Sequence, residues 1–214
     1  MSKLRIVIAD DHTLMTEGLR RLLETDFEIV GTASTGRQLI SVLERTVADV
    51  VVLDIGMPEL NGIEAARILS KSHPHLKLVF VTQQIDRHYV QAAFRAGATA
   101  FVAKQSASTE LQMAILSASR GETYLTSMIG IDRSKILERF EDSGKDIFGG
   151  DLTARQREVL QLTAEGKTVK EIGAALRISP KTVEFHKAAV MDQLGLRTTA
   201  DLTRYALVHG IVSA

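Results

Sequence analysis

Through its first 120 residues the 214-residue chain switches back and forth between two kinds of segment, and few folds accommodate that rhythm. Short apolar runs recur at Ile6-Val7-Ile8-Ala9, Ile29-Val30-Gly31, Val50-Val51-Val52-Leu53, Leu78-Val79-Phe80-Val81 and Ala100-Phe101-Val102-Ala103. They are rich in β-branched residues and do not alternate with polar ones, as expected of parallel strands covered on both faces. Between them lie segments of helical period, built on Leu14, Leu19, Leu22 and Leu23, on Leu39, Ile40 and Leu43, on Ile63, Ala66, Ile68 and Leu69, on Val90, Ala93 and Phe94, and on Leu111, Ile115 and Leu116. Five strand-helix repeats imply a parallel α/β sheet with right-handed crossovers.

The rhythm stops near Gly121. Residues 122–149 read as a linker with clustered glycines (Gly144, Gly149) and mixed charge, and a short helix is expected at about Ile131–Phe140. From 150 to 214 the pattern is helical. Thr153 and Gln156 fit a capping box, Gly166 stops the first helix, and a second runs from about Thr168 to Arg177. Ser179-Pro180 opens a third, Gly195 ends it, and a fourth spans about Thr199–Val208. The expected division is therefore 1–121, 122–149 and 150–214.

Bulk properties narrow the functional classes. Zero net charge gives the whole chain no nucleic-acid signature, and residues 151–214 carry a surplus of only two positive charges. There is no cysteine, which excludes disulfides and Cys-based zinc sites and makes the cytoplasm the expected location. No apolar run is long enough to span a bilayer, and Asp10-Asp11 cuts the first run too soon for a signal peptide, so no membrane partner is expected.

In an open parallel sheet, ligands sit beyond the C-terminal ends of the strands. The residues expected there are Asp10 and Asp11 after strand one, Asp54 after strand three, Thr82 closing strand four and Lys104 after strand five. Three crowded carboxylates call for a cation, and a hard divalent ion with oxygen ligands fits. With it, Asp54 is placed to attack a phosphoryl donor, Lys104 to neutralise phosphoryl oxygens and Thr82 to donate a hydrogen bond. One such residue alone is ordinarily a turn or surface group; the ordered combination is what carries the reading.

Asp10-Asp11, Asp54-Ile55-Gly56-Met57-Pro58 with Gly62, Thr82, and Phe101-Val102-Ala103-Lys104 resemble the receiver domain of two-component systems over residues 4–120. The resemblance implies a flavodoxin-like (βα)5 fold with strand order 2-1-3-4-5 and Asp54 as phosphoacceptor. It implies Mg2+ (or Mn2+) held by Asp10, Asp11, Asp54 and the Gly56 carbonyl. Thr82 and Phe101 would form a switch pair, with Lys104 gripping the phosphoryl group. Gln83 departs from the small residue usual after the switch threonine, so it is expected either to alter phosphoryl lifetime or to be a solvated loop residue.

In the helical region, two helices meeting across Arg177-Ile178-Ser179-Pro180 fit a helix-turn-helix, whose second helix enters the major groove. Val183, Val190 and Leu194 share an inward face, with Lys181, Glu184, Phe185 and Ala188 opposite. Phe185 is expected either to meet thymine methyl groups or to pack on a neighbour. Lys181, Lys187 and Thr182 are candidate phosphate contacts. His186 is expected to be packed, and of the six histidines only His73 and His75 show a ligand-like spacing. The segments Leu152–Leu160, Lys170-Glu171-Ile172 and Ile178–Val183 resemble the LuxR-type domain of NarL/FixJ-like regulators. That implies an all-α four-helix DNA-binding domain whose last helix helps dimerisation; Asp192-Gln193 departs from the basic residues common there.

Together the resemblances imply a transcription regulator, not an enzyme, switched when a sensor histidine kinase phosphorylates Asp54. Implied partners are double-stranded operator DNA and a second copy of the chain, with RNA polymerase a further candidate. Two other readings stay open: an Asp-nucleophile phosphohydrolase, whose usual second Asp is here Gly56, and a DNA-binding protein whose receiver only dimerises.

Overall fold

In a computed structural model, residues 3–129 and 152–212 are described. The helix expected at 131–140 and the glycine cluster fall outside them. The chain divides into two compact units, one carrying a sheet with its helices and the other the last four helices.

The first unit runs β1 (Arg5–Ala9), α1 (Thr13–Leu23), β2 (Glu28–Ala33), α2 (Gly36–Leu43), β3 (Val50–Leu53), α3 (Gly62–Ser72), β4 (Lys77–Thr82), α4 (Arg87–Arg95), β5 (Ala100–Ala103), α5 (Ala107–Ser119) and β6 (Tyr124–Leu125). All strand pairs are parallel, in the order β2-β1-β3-β4-β5-β6. β3 and β5 are buried at every position and the edge strand β2 is not, which is why the inner strands are unbroken apolar runs. Ile6, Ile8, Val52, Val79 and Val102 pack against Leu19 and Leu23 of α1 and Leu111, Ala114 and Ile115 of α5. Each Val, Leu or Ile among them contributes about 1.5–3 kcal/mol through burial.

Three features differ from the sequence reading. Tyr124 and Leu125, inside the stretch read as linker, extend the sheet beside β5; a two-residue strand has no periodicity to show. Leu14, counted in the apolar stripe of α1, is 88% exposed, because at roughly 100° per residue it stands about 180° around the helix from buried Leu23. Leu116, counted in the stripe of α5, is 44% exposed.

The second unit consists of α6 (Ala154–Ala164), α7 (Val169–Leu176), α8 (Pro180–Leu194) and α9 (Thr199–Val208). Capping boxes open α6 (Thr153 with Gln156), α7 (Thr168 with Glu171) and α9 (Thr198 with Asp201), and Ser179 with Pro180 opens α8. Val159, Leu162, Ile172, Leu176 and Val183 form its core. The turn between α7 and α8 is tight. Arg177 adopts a left-handed conformation (φ 55°) and Ile178 N–H donates to the Gly173 carbonyl, a Schellman-type closure. A Cβ on Gly173 would lie 2.9 Å from the Ile178 carbonyl oxygen, so the turn needs glycine there. No helix among the described residues is long and apolar enough to cross a membrane.

Candidate functional site

The sheet register brings the acidic residues together. Ala9 pairs with Leu53, so Asp10 and Asp54 leave adjacent strands side by side, and Thr82 pairs with Ala103, the residue before Lys104. Asp10 and Asp54 are only 3% and 4% exposed. Lys104 Nζ lies 2.8 Å from both Asp10 Oδ2 and Asp54 Oδ2. Burial works against the Lys104 charge, yet the two carboxylates outweigh it and raise its pKa. The second oxygens are also held: Ile55 N–H donates to Asp54 Oδ1 at 2.8 Å, and His12 N–H to Asp10 Oδ1 at 2.9 Å.

Gly62 fixes the β3–α3 connection. A Cβ there would fall 2.0 Å from the Asp54 carbonyl oxygen, and Gly62 N–H donates to the Ile55 carbonyl. The start of α3 can therefore press on the Asp54 backbone only without a side chain. Asn61 caps that helix by accepting from Glu64 N–H at 3.0 Å. Gly56 lies in the same bend, directly after Ile55.

Ligand atoms of Asp10, Asp11, His12 and Asp54 all lie within 4.8 Å of one another. Three carboxylates face one ammonium, and the donors are mainly hard oxygens, so this set fits a divalent cation of the Mg2+ type. His12 Nδ1 sits 2.8 Å from Asp11 Oδ1. By spacing, only His73 and His75 stand out in the sequence; among the described residues the histidine in an acidic cluster is His12, while His73 Nδ1 pairs with Ser72 Oγ at 2.8 Å. The run Asp-Asp-His at a strand end was the available signal.

Thr82 is fully buried, and its hydroxyl is engaged by the Gln84 side-chain carbonyl, while Gln84 N–H donates back to it at 3.3 Å. Gln83, singled out by sequence, is exposed and lines a cavity of about 710 Å³ with His12, Leu14, Met15, Lys104 and Gln105. The amide on Thr82 is thus Gln84, two residues along, which sequence reasoning missed. Phe101 is fully buried, its ring stacked on Phe80 with centroids 6.4 Å apart.

On α8, Val183 and Val190 are fully buried and Leu194 is half-buried. Lys181, Glu184 and Ala188 are exposed, and Phe185 is 70% exposed, its ring near that of His186. Two of the candidate contacts already have partners. The Thr182 hydroxyl lies 2.8 Å from Ser179 Oγ, and Lys187 Nζ donates to Thr199 Oγ1 at 2.9 Å. His186 is half-buried, and Asp192 and Gln193 are exposed.

The Response regulator receiver domain family matches residues 6–116, and the family of bacterial regulatory proteins, luxR family, matches 151–206. The transcriptional regulatory protein MctR of Rhizobium johnstonii is 35% identical over 99% of this chain and 96% of its own. The transcriptional regulatory protein LiaR of Bacillus subtilis is 34% identical over 98% of this chain and all of its own. Among solved structures, RcsB of Salmonella enterica serovar Typhimurium, bound to promoter P1flhDC in the presence of the phosphomimetic BeF3−, is 28% identical, with a TM-score of 0.63 over 97% of this chain and all of its own. With both domains matched in order and two relatives at 35% and 34% identity along nearly the whole chain, the chain belongs to the DNA-binding transcriptional response regulators that join a receiver domain to a LuxR-type helix-turn-helix.

Proposed function

We propose that a sensor histidine kinase phosphorylates Asp54 and that this event switches binding of operator DNA through α8. The observation that carries the reading is the pair of 2.8 Å contacts from buried Lys104 to Asp10 and Asp54. They hold an ammonium against the accepting carboxylate, where a transferred group would bring about two negative charges. A carboxylate oxygen of Asp54 forms the new O–P bond as the donor's P–N bond breaks, and the departing imidazole nitrogen takes a proton.

Asp10, Asp11 and Asp54, with the Gly56 carbonyl, are the residues that would hold Mg2+ or Mn2+. Such an ion supplies charge neutralisation for the phosphoryl oxygens. Thr82 leaves Gln84 to donate to the phosphoryl group, and Phe101 fills the space behind it, which biases a two-state surface. The proposed division remains 1–121, 122–149 and 150–214, with 124–129 counted alongside the receiver. A nearly neutral DNA-binding domain gains affinity when two copies engage two half-sites, so a homodimer on cytoplasmic DNA is the active form. Lys181, Thr182, Glu184, Phe185, Lys187 and Ala188 form the DNA face, and RNA polymerase is a downstream partner. Gly56 at the position of a second catalytic Asp favours a regulator over a phosphohydrolase.

The test is binding to a duplex that the protein itself selects from random sequence, with and without BeF3− and Mg2+, for the wild type and Asp54→Ala. Tighter binding by the treated wild type alone supports the reading. Equal binding by both proteins under both conditions refutes it.

A further inference from the structure

The short β6 strand hangs on the switch region. Tyr124 N–H donates to the Thr99 carbonyl at 3.2 Å, and Thr126 N–H donates to the carbonyl of Phe101 itself at 2.8 Å. Thr126 is 2% exposed, and its hydroxyl lies 3.0 Å from Ser106 Oγ. Ser106 closes the 3-10 turn that begins at Lys104, and its hydroxyl also donates to the Ala103 carbonyl at 3.2 Å. One turn along α5, buried Glu110 accepts from Ser127 Oγ at 2.7 Å. Burial alone would raise the Glu110 pKa, but the hydroxyls of Ser127, Thr126 and Tyr124 outweigh it and the net direction is down. A buried carboxylate that loses such donors is costly, so the segment and α5 are held to each other.

The location matters more than the strength of these bonds. Residues 124–129 are the first stretch of chain after α5 on the way to the DNA-binding domain. They are bonded at one point to the backbone of the switch aromatic, and at another to the turn that starts with the phosphate-gripping lysine.

We infer that Ser106, Glu110, Thr126 and Ser127 form a polar clasp through which the state of Asp54 sets the seating of the segment leading to the DNA-binding domain. This rests on the phosphorylation reading above. Movement of Phe101 displaces the acceptor of Thr126 N–H, and movement of Lys104 displaces the turn carrying Ser106. Both act on the same residue of the exit segment, Thr126, one through its backbone N–H and the other through its hydroxyl. A clasp that served only as an edge staple would stabilise the segment equally in both states. A coupling element must respond to the state of the site.

The experiment is amide hydrogen exchange on the full chain, with and without BeF3− and Mg2+, for the wild type, Ser106→Ala and Thr126→Val. Ser106 is only half-buried and Ser106→Ala removes a single hydroxyl, so that variant retains the fold even where the buried Thr126→Val does not. In the wild type, exchange at Tyr124–Ile129 is expected to change at least fivefold on BeF3− addition, together with the loop after Thr82. In the variants the loop still responds, and the change at 124–129 falls below twofold. A loop that responds while 124–129 does not, in the wild type, overturns the clasp alone. The clasp also fails if the variants raise exchange at 124–129 equally in both states and keep the wild-type response. Absence of any response at the loop overturns the phosphorylation reading and the clasp with it.

Discussion

The acidic edge of the sheet and helix α8 solve opposite problems. At the edge, Asp10, Asp54, Thr82 and Lys104 are buried or nearly so, with Lys104 paired to both carboxylates and Thr82 to Gln84. On α8 the exposed Phe185 meets the ring of His186 on the same helix, while Lys187 alone of the candidate contacts is tied to another helix, through Thr199. Chemistry on a fixed group needs preorganised charges. Reading a groove needs a rigid rod presenting side chains that settle on contact. Substitutions at the first site should therefore register in stability as well as function, and those at the second in function alone.

The sharpest break of that contrast is Lys104→Ala, which leaves two buried carboxylates facing each other. Removing one partner of a buried ion pair costs about 3–5 kcal/mol. Thermal melts should show a large loss without divalent ions, and added Mg2+ should raise the midpoint more in the variant than in the wild type. A midpoint unchanged by the substitution would mean the three charges are not coupled. Gly62→Ala comes next. Its methyl group cannot fit against the Asp54 carbonyl oxygen, and the backbone shift should cost about 1–3 kcal/mol in denaturant unfolding, with slower phosphorylation by acetyl phosphate.

On α8 the two faces should separate cleanly. Val183→Ala empties core volume and should cost roughly 2 kcal/mol of stability. Phe185→Ala should leave stability within about 0.5 kcal/mol. It should weaken binding to the selected duplex by about 1–3 kcal/mol, with the loss shrinking when the contacted thymine is replaced by uracil, which lacks the methyl group. Equal loss on both duplexes would assign Phe185 a packing role.

The smallest effect is expected at the other end of the same strands, where Arg5 pairs with Asp49 at 2.9 Å, both partly exposed. The hydrogen bond from Arg5 holds the Asp49 carboxyl below its ordinary range. A depressed carboxylate pKa stabilises the fold above the unfolded value and loses that contribution as pH falls through the folded one. The stability gap between wild type and Asp49→Asn should therefore be under about 1 kcal/mol at neutral pH and vanish below the ordinary carboxylate value of about 3.9.

What could be read from sequence follows the same division. The inner strands are legible because burial on both faces leaves unbroken apolar runs, and strand ends then locate Asp10, Asp54, Thr82 and Lys104. Helix boundaries in the second unit are legible because Thr153, Ser179-Pro180 and Gly195 each satisfy or end a backbone ladder. Strand β6 was hidden because two residues carry no period. Gln84 was hidden because which amide turns toward Thr82 depends on the loop's course, not on spacing. The exposure of Leu14 was legible on a helical wheel, where it stands about 180° from buried Leu23. The Lys187–Thr199 contact was hidden because the two residues stand twelve apart on different helices, beyond any pattern within one helix.

The central claim is that Asp54 is the residue that takes the phosphoryl group. Its most direct test is the intact mass of the full chain after incubation with acetyl phosphate and Mg2+, for the wild type and Asp54→Ala. The expected result is a gain of one phosphoryl group in the wild type and none in the variant. No gain in the wild type, or the same gain in both, would contradict it.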